Sequence, residues 1–128
     1  MKNIGFLTGI LLSVSLTAGP AQAESDFLSR AEIKSTVDSS VWTGINTLGN
    51  PWTVRYQADG KMSGSVKSAK GDSVDTGEWW LDGNKFCSQY KEWFGGKPSC
   101  FLVKTEGSKI RLFDDSQKLV DEINFKKY

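Results

Sequence analysis

Apolar and polar residues alternate in short runs from Val41 onward, and turn-forming residues separate the runs. In the run WTVRYQ, an extended chain places Trp52, Val54 and Tyr56 on one face and polar residues on the other. Asp59-Gly60 is a typical tight-turn pair between two such runs. About eight runs at regular spacing predict an antiparallel meander, because no helical pattern separates them as a parallel sheet would require.

A sheet of this size would expose two unpaired edges, and closure into a barrel removes them. We therefore predict a mainly β fold, a small antiparallel up-and-down β-barrel over residues 41–128. Residues 24–40 have a different pattern, in which Ser29 precedes Glu32 by three positions, as in a capping box. This segment predicts one short N-terminal helix packed on the barrel.

Residues 1–23 have the pattern of a secretory signal peptide. Lys2 precedes the apolar run IGFLTGILLSVSL, and Ala21 and Ala23 supply the small residues of a cleavage site. The apolar run is too short for a stable membrane span. We expect export to the periplasm or beyond, with the rest of the chain forming one domain.

Charge gives no sign of a polyanionic partner. The chain after residue 23 has fifteen acidic and fifteen basic residues, so its formal charge is zero. A neutral chain without a basic run does not favour nucleic acid or an anionic membrane. We therefore expect partners to be recognised by shape and aromatic surface.

Cys87 and Cys100 are the two cysteines of the chain. In an exported protein they most simply form one disulfide, with free thiols as the alternative. Direct opposition would place Phe86 opposite Phe101, a favourable cross-strand pair in a hairpin. Two thiolates without histidine do not complete a tetrahedral zinc site, so we expect no metal and no cofactor.

The chain contains no histidine, which excludes Ser-His-Asp and Cys-His nucleophiles and histidine bases. Three acidic pairs remain: Asp72 with Asp75, Asp114 with Asp115, and Asp121 with Glu122. Asp121 and Glu122 are neighbours on a predicted strand, so they point to opposite faces and cannot share a substrate. Asp114 and Asp115 lie at a turn, where acidic residues are common because they bond the backbone. No glycine-rich phosphate loop occurs. We predict that the protein is not an enzyme.

Aromatic residues fall on consistent faces of several predicted strands. Such rings commonly form a core, because they bury a large area at low entropic cost. The alternative is a barrel interior that stacks a small apolar or aromatic ligand. The leading hypothesis for function is binding of such a molecule, or of an envelope component. The expected ligand contacts are Trp52, Tyr56, Trp79, Tyr90 and Arg111.

A second set of aromatic residues is expected outside the barrel. Trp80 follows Trp79 in one strand, so the two rings face opposite ways and Trp80 points outward. Trp93 and Phe94 lie at the tip of the predicted disulfide hairpin. As exposed anchors, Trp80, Trp93 and Phe94 favour an alternative function, a protein-binding module such as an inhibitor of a secreted hydrolase.

The segment DTGEWWLDGNKFCSQYKEWFGGKPSCFLV resembles an uncharacterised family of small secreted bacterial β-barrel proteins. The shared positions are Gly77, Trp79, Cys87, Trp93, Cys100 and Phe101 within this segment, and Asp59-Gly60 before it. The G-x-W element also resembles that of calycin barrels, in which the tryptophan closes one end and packs on a late-strand arginine. This resemblance implies that Trp79 closes one end of the barrel and packs on Arg111. Periplasmic inhibitors of secreted metalloproteases are similar in having a small disulfide-bearing barrel with a G-x-W element.

Overall fold

The computed structural model describes residues 26–128, so the expected signal peptide lies outside the described residues. Eight antiparallel strands form a closed barrel, in which each pairs with its chain neighbours and the last pairs with the first. The strands are β1 Ser40–Ile45, β2 Pro51–Tyr56, β3 Lys61–Val66, β4 Ser73–Asp82, β5 Lys85–Tyr90, β6 Ser99–Glu106, β7 Lys109–Phe113 and β8 Leu119–Lys127. The predicted up-and-down barrel is confirmed. In this part of the chain no helix is long and apolar enough to cross a membrane.

An aromatic core fills one half of the barrel. Trp42 is its centre, with ring centroids 4.5 Å from Tyr56 and 5.1 Å from Phe86. The indole Nε1 of Trp42 donates to the hydroxyl of Ser40, which in turn donates to the carbonyl of Val37. These buried polar atoms therefore have hydrogen-bond partners, which offset the cost of removing them from water.

One helix covers this half of the barrel. Helix α1 spans Arg30–Val37 and buries Ile33 and Val37 completely against the core. The capping box is present: the Ser29 hydroxyl accepts from the backbone of Glu32, whose carboxylate accepts from the backbone of Ser29. The helix is shorter than the predicted range 24–40, because Ser29 caps its start and the chain turns into β1 directly after it, with Ser39 in a left-handed conformation. We call the barrel end under α1 the closed end and the other the open end.

The pairing of β5 with β6 is the shortest in the barrel. It has three positions: Phe86 with Phe101, Cys87 with Cys100, and Ser88 with Ser99. Cys87 and Cys100 form a disulfide at the middle position, with their Cα atoms 4.0 Å apart. Both the disulfide and the predicted pairing of Phe86 with Phe101 are confirmed. The covalent bond therefore lies where the barrel has the fewest backbone hydrogen bonds to hold it closed.

The segment before α1 covers the rest of this seam. The backbone N–H of Leu28 donates to the carbonyl of Val103 at 2.8 Å. Val103 lies just beyond Phe101, the last residue of β6 that pairs with β5. Phe27 packs edge-on against Phe113, with ring centroids 5.3 Å apart. On the other side of the seam, Arg30, the first residue of α1, donates to the carbonyl of Leu81 in β4, opposite Phe86 of β5. Residues 27–30 thus contact the strands on both sides of the seam, and the rest of α1 covers the closed end.

Candidate functional site

A cavity of about 760 Å³ occupies the open half of the barrel. Trp42, Tyr56 and Phe86 of the aromatic core reach its floor, and Trp52, Tyr90 and Phe101 stand along its walls. Its mouth lies between the loops of the open end, opposite α1. The barrel therefore has a packed half and a hollow half.

Two inward-facing glycines explain why the hollow half stays open. Gly44 lies opposite Trp52 across β1 and β2, and a Cβ at this glycine would come within 2.6 Å of the indole. Gly64 of β3 stands in the same relation to the indole of Trp93, also at 2.6 Å. Each indole therefore packs directly on glycine backbone at the barrel wall. A side chain at either glycine would push the ring towards the barrel interior.

The loop between β5 and β6 carries Trp93 and is fastened to β4. One carboxylate oxygen of Asp75 accepts from the backbone N–H groups of Glu92 and Trp93, both at 2.8 Å. These hydrogen bonds favour the ionised carboxylate and hold the pKa of Asp75 below its usual value. The Trp93 indole also donates to the hydroxyl of Ser73 at 3.0 Å. Three hydrogen bonds thus fix this loop at the cavity wall.

Two tyrosines meet inside the cavity. Burial raises the pKa of Tyr90 to about 12. The pKa of Tyr56 also lies well above its usual value, because its hydroxyl is buried and adjoins that of Tyr90. Both phenols are therefore neutral at physiological pH. They offer hydrogen-bonding groups to a bound molecule without charge.

Two charged side chains of the described residues line the cavity, Lys97 and Asp121. Lys97 is exposed at the mouth. Asp121 lies opposite Leu112 in the pairing of β7 with β8, so it points inward, while the next residue, Glu122, points outward. Asp121 contacts solvent through the mouth, yet the apolar walls desolvate its carboxyl group and raise its pKa.

Of the five predicted ligand contacts, Trp52, Tyr56 and Tyr90 line the cavity. Trp79 lies in the packed half, with its ring centroid 6.3 Å from Phe86. Its indole Nε1 donates to the carbonyl of Gln57 at 2.8 Å, which fastens the turn between β2 and β3.

Arg111, the fifth predicted contact, lies on the outer face of β7. It forms ion pairs with Glu106 at 2.8 Å and Glu122 at 2.7 Å. It is not part of the cavity lining, and it does not share a face with Trp79. The sequence contained a signal for this, because Arg111 lies between the apolar residues Ile110 and Leu112 in an alternating strand. Both neighbours are buried in the structure, so Arg111 points outward.

The three expected partner anchors lie in different settings. Trp80 is on the outer face, 38% exposed and opposite Cys87. Trp93 is half-buried against Gly64, not exposed at a loop tip. Phe94 alone extends into solvent, 76% exposed and with a φ of 56°. The structure therefore groups Trp93 with Phe94, whose rings lie 5.0 and 5.8 Å from that of Tyr90, and leaves Trp80 on the outer face of β4.

Sequence reasoning missed Asp121 and Lys97 as cavity residues. The alternation of Asp121 with Ile123 along β8 was the available signal, because a charge on the apolar face of a strand breaks the pattern. Lys97 had no such signal, because it lies in an irregular loop after the 3₁₀ turn Trp93–Gly96.

The other acidic pairs have structural partners. Asp72 pairs with Lys67 at 3.4 Å, and Asp115 pairs with Lys85 at 2.6 Å. Asp114 accepts from two backbone N–H groups of its own turn. Within residues 26–128 no group of three His, Cys, Asp or Glu side chains is placed to hold a metal ion.

Comparisons with protein-family models, curated proteins and solved structures found no match to this chain.

Proposed function

We propose that this protein is an exported, non-enzymatic barrel that binds a small molecule with an apolar or aromatic body in the cavity of the open half. The cavity carries the proposal. Its volume of about 760 Å³ falls within the range of small-molecule sites, roughly 300–1,000 Å³. Such sites combine apolar and aromatic walls with a few polar groups that orient the ligand.

The arrangement of the aromatic rings supports the same function. Trp52 packs on Gly44 at the wall, and Tyr90 and Phe101 face the same space from β5 and β6. Aromatic rings from three strands suit an apolar or aromatic body, which gains both buried area and ring contacts. The disulfide supports export, because such bonds persist in oxidising compartments.

The test uses N-phenyl-1-naphthylamine, a neutral dye whose fluorescence rises in apolar surroundings. We expect saturable binding of one dye per barrel. Ser99→Trp adds an indole at an inward position of the cavity wall and should weaken binding at least tenfold. Thr43→Trp adds the same ring on the outer face of β1 and should leave binding unchanged. Absence of saturable binding, or equal binding by both variants, would refute the proposal.

A second candidate function is favoured by the apolar side chains around the mouth. Six large apolar residues that are exposed in the described chain lie at the open end: Ile45, Leu48, Val74, Phe94, Leu119 and Val120. Large exposed apolar patches are typical of interaction sites. In this alternative the protein is a protein-binding module, and the open end forms its contact surface.

A photo-crosslinking amino acid at Phe94 tests this alternative against the same residue at Thr43, which is exposed on the barrel side. A discrete adduct formed from position 94 alone, in extract of the native source, would support it. Equal labelling from the two positions, or none, would rule it out.

A further inference from the structure

Asp121 is a charged residue on the inner face of β8, at a position where the alternation of the strand predicts an apolar side chain. Its neighbours on the inner face are Leu112, opposite it on β7, and Ile123, two positions along β8, and both are buried. A leucine at position 121 would extend that apolar surface into the cavity. Departures of this kind from a consistent pattern are expected at functional positions.

The surroundings of Asp121 do not neutralise its charge. Its carboxylate accepts one hydrogen bond, from the backbone of Glu122. Among residues 26–128 no Lys or Arg forms an ion pair with it. Arg111, the nearest guanidinium along the sheet, is on the outer face and pairs with Glu122. The second oxygen of Asp121 is therefore available to a bound molecule.

The aromatic rings, like the carboxylate of Asp121, favour a positively charged ligand. Trp52, Tyr90 and Phe101 line the space that Asp121 faces. The faces of aromatic rings attract cations, most strongly where water is excluded. An ammonium group in the cavity can thus interact with a carboxylate and with ring faces together. An anionic group would meet repulsion from both and could pair only with Lys97 at the mouth.

Resting on the proposed function, we propose that the natural ligand is an organic cation, an amine with an apolar or aromatic body, and that Asp121 binds its ammonium group. The ammonium donates to the free carboxylate oxygen, and the apolar body lies between Trp52 and Phe101. Lys97 is exposed to solvent at the mouth.

Three matched probes test the charge preference by calorimetry at neutral pH: 3-phenylpropan-1-amine, 3-phenylpropan-1-ol and 3-phenylpropanoate. They share one apolar body and carry a positive, zero or negative charge. We expect the amine to bind at least tenfold more tightly than the alcohol, because charge-assisted hydrogen bonds are the stronger kind. The carboxylate should bind most weakly.

Asp121→Asn keeps the size of the side chain and removes its charge. It should weaken amine binding at least tenfold and change alcohol binding less than twofold. Glu122→Gln makes the same change one residue along, on the outer face, and should alter neither. If Asp121→Asn does not fold, the order of affinity of the three probes for the native protein tests the charge preference on its own.

An alcohol that binds as tightly as the amine, or a carboxylate that binds tightest, overturns the inference and leaves the ligand cavity standing. If none of the three binds while the naphthylamine dye does, the inference is also overturned. Failure of the dye as well removes the proposed function and the inference with it.

Discussion

Replacement of Trp93 and Phe94 by alanine, one at a time, should show that the Trp93 ring stabilises the fold and that the Phe94 ring contributes little. The Trp93 indole covers Gly64, stands 5.0 Å from the ring of Tyr90 and donates to Ser73. Phe94 has most of its surface in water. Its ring also approaches that of Tyr90, at 5.8 Å, but its side chain makes no hydrogen bond, so Phe94 has the weaker contacts of the two.

The expected magnitudes follow from these contacts. Truncation of a fully buried aromatic residue to alanine costs about 3–5 kcal/mol, so a half-buried Trp93 should cost about 2 kcal/mol. Loss of the hydrogen bond to Ser73 adds about 1 kcal/mol. For Trp93→Ala we therefore expect a loss of about 3 kcal/mol in the free energy of unfolding. Phe94→Ala should cost less than about 0.5 kcal/mol, since surface changes rarely exceed that.

Urea unfolding followed by far-ultraviolet circular dichroism measures both variants without reliance on tryptophan fluorescence. The difference between them corresponds to roughly 10 °C in Tm for a domain of this size. Equal losses within about 0.5 kcal/mol, or a larger loss for Phe94→Ala, would refute the reasoning.

A double-mutant cycle sharpens the test. Gly64→Ala should destabilise the native chain, because the new Cβ would collide with the Trp93 ring at 2.6 Å. In the Trp93→Ala background the same change should cost less, since the ring is gone. Additive effects would show that the two positions are not in contact.

The remaining predictions concern the disulfide and two aspartates. Replacing Cys87 and Cys100 by alanine should lower the free energy of unfolding by about 3 kcal/mol, the loop-entropy value for a separation of 13 residues, and an unchanged urea midpoint would contradict this. Asp75 has a lowered pKa, so its stabilising effect is present at neutral pH and is lost as the pH falls below about 4, the unfolded value, through its folded pKa. Asp75→Asn should flatten the acid side of the Tm-against-pH curve, and an equally steep curve would argue against this role. Asp121 has a raised pKa, so its ionisation destabilises the fold as the pH rises through that pKa. Asp121→Asn should therefore raise the Tm at pH 7, and Glu122→Gln should lower it; the reverse order would refute the assignment of faces.

Local chemistry made much of the fold predictable. The alternation in β2, the capping box at Ser29 and the opposition of Cys87 with Cys100 are each fixed by residues close together in the chain. Each of these patterns has one physical solution, since a strand has a period of two and a disulfide requires opposed Cα atoms.

The candidate site was harder to predict because it depends on contacts between distant strands. No local rule joins Trp93 to Gly64, which lies 29 positions earlier on β3. The inward direction of Asp121 follows from its alternation with Ile123, but the cavity that it faces is formed by strands that are distant in the chain. Arg111 was misplaced for a different reason, since a resemblance outweighed the alternation of its own strand.

The strap formed by residues 27 and 28 sets an order of events in folding. These residues leave the ribosome before any strand of the barrel, yet their partners Val103 and Phe113 come about 75 or more positions later. Helix α1 can therefore dock only after most of the chain has been made. Until then Ile33 and Val37 remain uncovered, so a chain that stops short of β6 exposes an apolar helix face that folding factors or proteases can recognise.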